Sequence, residues 1–418
     1  MPFVKELTCS RCGKRYEPSG RVISCTNQCD GRLDVIYDLE AISEVLNPSV
    51  LSRRRPGVWK YRELLPMKDS SNIVSLNEGG TPLLDAQRIG GKLGFDELWL
   101  IDDTRNPTGS FKDRPMTVGV SKAVEVGYKT VASASSGNAA VSLSAYAAKA
   151  GLKCITFVQE MTSAAKLVQL AMHDAKVIRV RGLESGQDPA VKILKEACNN
   201  RDWYPCPTIA SMNPYQAEGP KTMSYEIAEG LDYDPPDWVF VPVGGGGLLA
   251  GNWKGYREFQ NLGFINESPR IVAVQPTGCA PLVRAYERGA DADEIEPWDS
   301  PDSVAAGLMD PFPWDGDVAL RAVRDSKGTA VAVSDDEILS AQRLLAKYEG
   351  LFAEPSGATS LAGLIRLRDK GEIDRSDKLV VEITGSGLKD ISILQSHITQ
   401  PPLIDPSMKD LEEVLANS

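Results

Sequence analysis

The chain runs to 418 residues, 25 % of them charged and 42 % hydrophobic, with a net charge of −11, which is enough for two or three domains around large cores. Its basic residues are dispersed, which excludes the footprint of a nucleic-acid binder, although local N–H and lysine clusters still suit an anionic substrate. No apolar run approaches the ~18 residues of a membrane span, and Met1-Pro2-Phe3-Val4-Lys5-Glu6 lacks the apolar centre of a signal peptide, so a cytoplasmic protein with no membrane partner is expected.

Four of the eight cysteines come first, as Cys9-x2-Cys12 and, after twelve intervening residues, Cys25-x3-Cys29. Two close pairs on turns such as Cys12-Gly13-Lys14 suit four thiolates set tetrahedrally around zinc, as in a ribbon. A ribbon that keeps its fold without metal is the other reading; a disulfide pair is disfavoured in a cytoplasmic chain. Cys154, Cys198, Cys206 and Cys279 read as buried packing residues. With only His173 and His397 available, histidine triads and histidine-rich metal sites are disfavoured. Residues 35 to 70 read as helices and connections, with Arg53-Arg54-Arg55 as a solvated face or subunit contact. Asn77–Leu83 reads as a glycine turn leading into extended structure.

From Lys129 the pattern becomes regular: a strand at Thr130–Ser135, an alanine-rich helix at Asn138–Lys149, a strand at Lys153–Gln159, a helix around Ser163–His173 and a strand at Lys176–Arg181. The alternation returns at Trp238–Val243, Leu248–Phe259 and Arg270–Gln275, then at Ala330–Val333 before a helix opened by the capping-box pattern Ser334-Asp335-Asp336-Glu337, and ends with a strand at Lys378–Thr384. Short apolar runs alternating with helices predict parallel sheets with right-handed crossovers, in two α/β domains. A ligand touching both would lie in the cleft between them.

Four segments carry chemistry. Asn106-Pro107-Thr108-Gly109-Ser110-Phe111-Lys112-Asp113-Arg114 sets a lysine between a Gly-Ser turn and a helix start, where an amine of lowered pKa holds an aldehyde cofactor as a Schiff base; pyridoxal phosphate is the usual partner. Gly244, Gly245, Gly246 and Gly247 separate a buried strand from a helix, and the free backbone N–H groups of such a loop cradle a phosphate. Ser135-Ser136-Gly137-Asn138 opens a helix at a strand end, an arrangement that favours a bound carboxylate or phosphate, with Asn138 as a plain N-cap as the other reading. Thr384-Gly385-Ser386-Gly387 follows the last strand, where a hydroxyl suits a neutral pyridine nitrogen.

In this order, and over nearly the whole chain, these segments resemble the fold-type II pyridoxal-phosphate enzymes, most closely the threonine synthase family. Asn213-Pro214-Tyr215-Gln216-Ala217-Glu218-Gly219, Lys221-Thr222 and the cysteine-bearing N-terminus add to the likeness. The resemblance implies two three-layer α/β domains with mainly parallel sheets plus a small Cys-rich ribbon: residues 1–40 for the ribbon, 41–114 with 215–418 for a large cofactor domain, and 115–214 for a small one. It makes Lys112 the Schiff-base residue, places Asn138 on the cofactor's 3′ oxygen, Gly244–Gly247 on its phosphate and Thr384 on its ring nitrogen. It implies a homodimer that takes O-phosphohomoserine and water to threonine and phosphate. Ser135, Ser136 and Gly137 would then hold the α-carboxylate, and Lys166 and Asn213 the substrate phosphate. Some positions depart from the family's pattern, among them Pro115 after Lys-Asp-Arg, the all-glycine loop, Ser386 and Glu354-Pro355-Ser356-Gly357-Ala358. The last of these and the loop look more like threonine or serine dehydratases, so an ammonia-lyase, or a β-replacing enzyme such as cysteate synthase acting on O-phosphoserine, stays open.

Overall fold

The computed structural model describes residues 3–27, 29, 31–160, 162, 164–182, 188–391 and 401–416, with backbone alone at 164–166; His397 lies outside them. The chain opens with β1 (Val4–Cys9), β2 (Arg15–Tyr16) and β3 (Leu33–Tyr37), an antiparallel sheet in the order β2-β1-β3. β3 falls partly where helices and connections were expected. Its five residues alternate between buried and more exposed positions, the period of a half-buried strand, and Leu33 and Val35 join Leu7 in the core of the larger lobe.

Two further sheets follow. β4 (Leu83–Asp85) and β5 (Glu97–Asp102) precede a second layer built from α1 (Asp113–Glu125), β6 (Thr130–Ala134), α2 (Asn138–Ala150), β7 (Lys153–Gln159), α3 (Ala164–Met172), β8 (Lys176–Val180), α4 (Pro189–Asn200) and β9 (Tyr204–Pro205). These strands form an all-parallel sheet in the order β8-β7-β6-β9. The chain then returns through α5 (Thr222–Gly230), β10 (Trp238–Pro242), α6 (Gly247–Asn261), β11 (Arg270–Pro276), α7 (Gly316–Asp325), β12 (Thr329–Val333), α8 (Asp335–Leu344), α9 (Pro355–Asp369) and β13 (Lys378–Ile383). Its sheet runs β12-β11-β10-β13-β5-β4 and is parallel except for the β4 edge. The alternation read from Lys129 onward is therefore present as parallel sheets.

Every residue of β10 is buried, as a central strand covered on both faces requires. Val239 and Val241 face one apolar cluster, with Leu249, Phe259 and Ile271; Phe240 faces the other, with Val272, Leu361 and Val381. The capping box is formed: Ser334 Oγ accepts from Glu337 N while the Glu337 carboxylate accepts from Ser334 N. Among the described residues no helix is long and apolar enough to cross a membrane.

Candidate active site

Lys112 is held at the mouth of α1 from both sides in sequence. Before it, Gly109 turns with φ +76°, and Thr108 donates through its N–H and hydroxyl to the two oxygens of Asp113, at 2.7 and 2.6 Å. After it, Arg114 is fully buried and donates to Asp103 at 2.7 and 2.8 Å and to Glu226 at 2.7 Å. The next residue toward the cleft wall, Phe111, donates its N–H to Thr384 O at 2.9 Å, and Ser110 bridges Gly385. The lysine and the turn after β13 are thus one structural unit, although 272 positions separate Lys112 from Thr384.

Lys112, Ser135, Ser136, Gly137, Asn138, Gly244 to Gly247 and Thr384 line one cleft of about 560 Å³ between the two parallel sheets, within the range of small-molecule sites. The helices that open on it, α2 and α6, begin at Gly137 and Gly246 without a side-chain cap, so their first N–H groups stay available to an anion. Asn138 is consequently the first helical residue and not the cap. Its side-chain amide donates to Glu354 Oε1 at 2.8 Å, tying the small lobe to the large one. Gly246 sits at φ +95°, and a Cβ there would stand 2.9 Å from Asp315 O; at Gly244 it would meet Gly307 O at 3.2 Å. The loop's form and the space in front of it both require glycine.

The charges are unusual for an anion cradle. Asp310 and Asp315 face the glycine loop, with Asp315 N donating to Gly245 O at 2.8 Å and the Asp310 carboxylate 3.0 Å from where a Gly245 Cβ would stand. Burial pushes both carboxyls up to about 7. Burial also pulls the Lys112 amine down to about 8, against the opposing pull of Asp310, Asp315 and Glu354. Glu354, Asp310 and Asp315 were not read as site residues from the sequence. Glu354 sits one residue before a Pro-started helix and carried a positional signal; the segment Asp310-Pro311-Phe312-Pro313-Trp314-Asp315 has no periodicity and carried none.

One expected residue does not join this group. Asn213 is 1 % exposed and both ends of its amide are engaged: it donates to Pro205 O at 2.7 Å and accepts from Gln216 N at 3.1 Å. It shapes the turn that brings Gln216 to the cleft wall rather than facing the cleft itself. Lys166 is on α3, which starts two residues after the cleft residue Thr162, and its side chain lies outside the described residues. Cys9, Cys12, Cys25 and Cys29 converge away from the cleft, at the tip of the β1–β2 hairpin.

Residues 74–385 match the family model described as pyridoxal-phosphate dependent enzyme. The chain belongs to that family. Within it, the chain is 41 % identical to the threonine synthase of Methanocaldococcus jannaschii over 97 % of its own length and 98 % of the relative's. It is 39 % identical to that of Methanosarcina acetivorans, over 98 % of both chains, and 38 % identical to that of Mycobacterium tuberculosis, over 86 % and 96 %. Maize serine racemase superposes with a TM-score of 0.64 at 23 % identity, covering 80 % of this chain and 93 % of that one. Threonine deaminase isoform 2 of Solanum lycopersicum gives 0.63 at 20 %, covering 82 % and 94 %. These two likenesses show the shared fold.

This enzyme therefore uses pyridoxal phosphate, and the cleft suits it. The glycine loop brings an uncapped helix N-terminus to the cleft, and a Cβ at Gly246 would stand 2.9 Å from Asp315 O, so glycine there keeps the loop in this form. Lys112 offers an amine which, among the described residues, makes no ion pair and sits 4.5 Å above the Phe111 ring. Thr384, 3 % exposed, borders the same space.

Proposed function

We propose that this enzyme converts O-phosphohomoserine and water to threonine and phosphate, with Lys112 as the catalytic residue. The observation that carries the reading is the 38–41 % identity to threonine synthases over 86–98 % of the chain; the racemase and deaminase likenesses, at 20–23 % identity, speak to fold alone.

The residues suit the parts this reaction assigns them. An amine lowered to about 8 is neutral in a useful fraction near neutral pH, so Lys112 can take a proton from Cα and move one at Cβ. When bound, the cofactor supplies an electron sink for the carbanion at Cα; we assign its ring oxygen to Asn138, its ring nitrogen to Thr384 and its phosphate to Gly244–Gly247, all of which line the cleft. The α-carboxylate is assigned to the uncapped start of α2 at Ser135–Gly137, and the substrate phosphate to the side of the cleft where α3 carries Lys166. We read residues 1–40 as a ribbon, 41–114 with 215–418 as the cofactor-binding lobe and 115–214 as the small lobe, in a cytoplasmic homodimer; sedimentation of the holoenzyme reads the last point.

The dehydratase-like Glu354-Pro355-Ser356-Gly357-Ala358 segment, with Glu354 on Asn138, favours an ammonia-lyase as the second reading. One assay separates them. Threonine and inorganic phosphate released together from O-phosphohomoserine are expected; ammonia and a 2-oxo acid from threonine or serine, or phosphate from O-phosphoserine alone, would overturn the proposal.

A further inference from the structure

The four N-terminal cysteines lie outside the chemistry of the cleft, and their geometry is specific. Their Sγ atoms are all within 4.8 Å of one another: Cys9 and Cys29 are 3.5 Å apart, Cys12 and Cys25 3.6 Å, and Cys25 and Cys29 3.4 Å. Four sulfurs bonded at ~2.3 Å around a tetrahedral centre would stand about 3.8 Å from each other, whereas a disulfide would need ~2.05 Å. The backbone is shaped around this cluster. Gly13 closes the first cysteine turn at φ +68°, and a Cβ at Gly31 would stand 2.5 Å from Cys9 Sγ, so only glycine lets the chain pass that sulfur. Two donors face the sulfurs from outside the cluster: the Tyr16 hydroxyl lies 3.1 Å from Cys25 Sγ, and the Asn27 amide 3.6 Å from Cys12 Sγ. Such contacts stabilise thiolate over thiol.

We propose that Cys9, Cys12, Cys25 and Cys29 bind one zinc ion, which fastens the N-terminal ribbon across both lobes of the enzyme. A closed set of four soft thiolates selects zinc or iron among abundant metals. Zinc fits a site without an electron to carry, since converting phosphohomoserine and water to threonine and phosphate changes no net oxidation state. Metal binding releases the thiol protons and leaves each sulfur bonded to zinc. The fastening is visible in three contacts of the ribbon. Arg32 pairs with Asp317 at 2.8 Å, in the first turn of α7 and two residues from Asp315. Gly20 N donates to the Tyr215 hydroxyl at 3.0 Å, next to the cleft residue Gln216. Arg21 donates to Val126 O at 2.8 Å, at the end of α1. The metal thus orders a segment that touches the supports of the glycine loop and of Lys112 without reaching the cleft.

The test uses the intact holoenzyme, purified under reducing conditions from zinc-replete medium. Elemental analysis should find one zinc per chain, and cobalt(II) exchanged into the site should give a thiolate-to-cobalt charge-transfer band. Cys12→Ser, which removes the exposed ligand, should lose both signals while keeping the visible absorbance of cofactor on Lys112, so that lost metal is distinguished from lost fold. Stripping zinc from the unaltered enzyme with a mercurial reagent and a chelator should raise hydrogen exchange at residues 4–37, 215–217 and α7, giving a second readout if the variant fails to fold. Iron in place of zinc, two disulfides found by mass spectrometry, or four thiols that react as fast before chelation as after it would each overturn the proposal.

Discussion

Alanine at Gly246 should damage cofactor binding far more than alanine at Gly245, its neighbour in the same loop. At position 246 the backbone has φ +95°, in the region where a side chain costs about 1–2 kcal/mol. The new Cβ would stand 2.9 Å from Asp315 O, 3.0 Å from Asp315 C and 3.2 Å from Ala319 Cβ, and backbone atoms strapped by Asp315 N to Gly245 O cannot rotate aside. Overpacking of this kind costs roughly 1–3 kcal/mol more. The sum is about 2–5 kcal/mol. The loop must hold its cradle form to bind phosphate, so the cost falls on affinity: at about 1.4 kcal/mol per decade, the smaller value alone is roughly a 30-fold loss. At Gly245 the obstacle is Asp310 Oδ2 at 3.0 Å, the end of a side chain, and φ is unremarkable; the cost there should stay below about 1 kcal/mol, or roughly fivefold. Titrating pyridoxal phosphate into each apo-protein, followed by visible absorbance, measures both, with thermal unfolding of the apo-proteins as the check on folding. G246A binding within about threefold of the unaltered enzyme, or G245A failing more severely than G246A, would refute the reasoning.

Lys112→Ala should remove the borohydride-trappable cofactor absorbance and lower turnover by about 10²–10⁴, measured as phosphate release. The pH dependence of cofactor attachment follows from the amine's environment. Only the neutral amine attacks an aldehyde, so the attachment rate should climb with pH and level off above about 8, where burial has brought Lys112. Because Asp310 favours the charged amine, Asp310→Asn should move that midpoint downward; stopped-flow rates that show a midpoint in the ordinary lysine range, or an upward move, would contradict the assignment. Arg114→Met strips a fully buried guanidinium from Asp103 and Glu226 and leaves two carboxylates uncompensated, which should cost roughly 3–5 kcal/mol in urea unfolding. Arg375→Ala breaks a pair whose arginine is 76 % exposed and should cost under about 1 kcal/mol.

The sequence was most legible where chemistry and local structure coincide. Strand, glycine run and helix around Gly244–Gly247, and the turn around Lys112, are local arrangements whose residue types already state what the backbone must do there. The parallel sheets were legible for a similar reason: strands such as Trp238–Pro242 are apolar at successive positions because both faces are covered. β3 was missed because five residues between cysteine turns and a helix carry too short a pattern to be separated from their surroundings. Asn213 looked like a ligand by its place in a motif, yet its amide is used up within its own loop.

Residue types and their spacing thus determined that this chain folds as parallel α/β layers, and they pointed to a lysine, an asparagine and a glycine run that the fold brings to one cleft. Tertiary structure alone decided which distant groups surround them. Glu354 meets Asn138 across 216 positions, the Phe111 N–H meets Thr384 O, and Asp310 and Asp315 stand over the glycine loop from an aperiodic, proline-rich segment. The physical reason is range. Backbone preference and hydrophobic period act over a few residues and are written in the chain, whereas burial and the field of neighbouring charges, which bring Lys112 down to about 8, exist only once the two lobes close around the cleft.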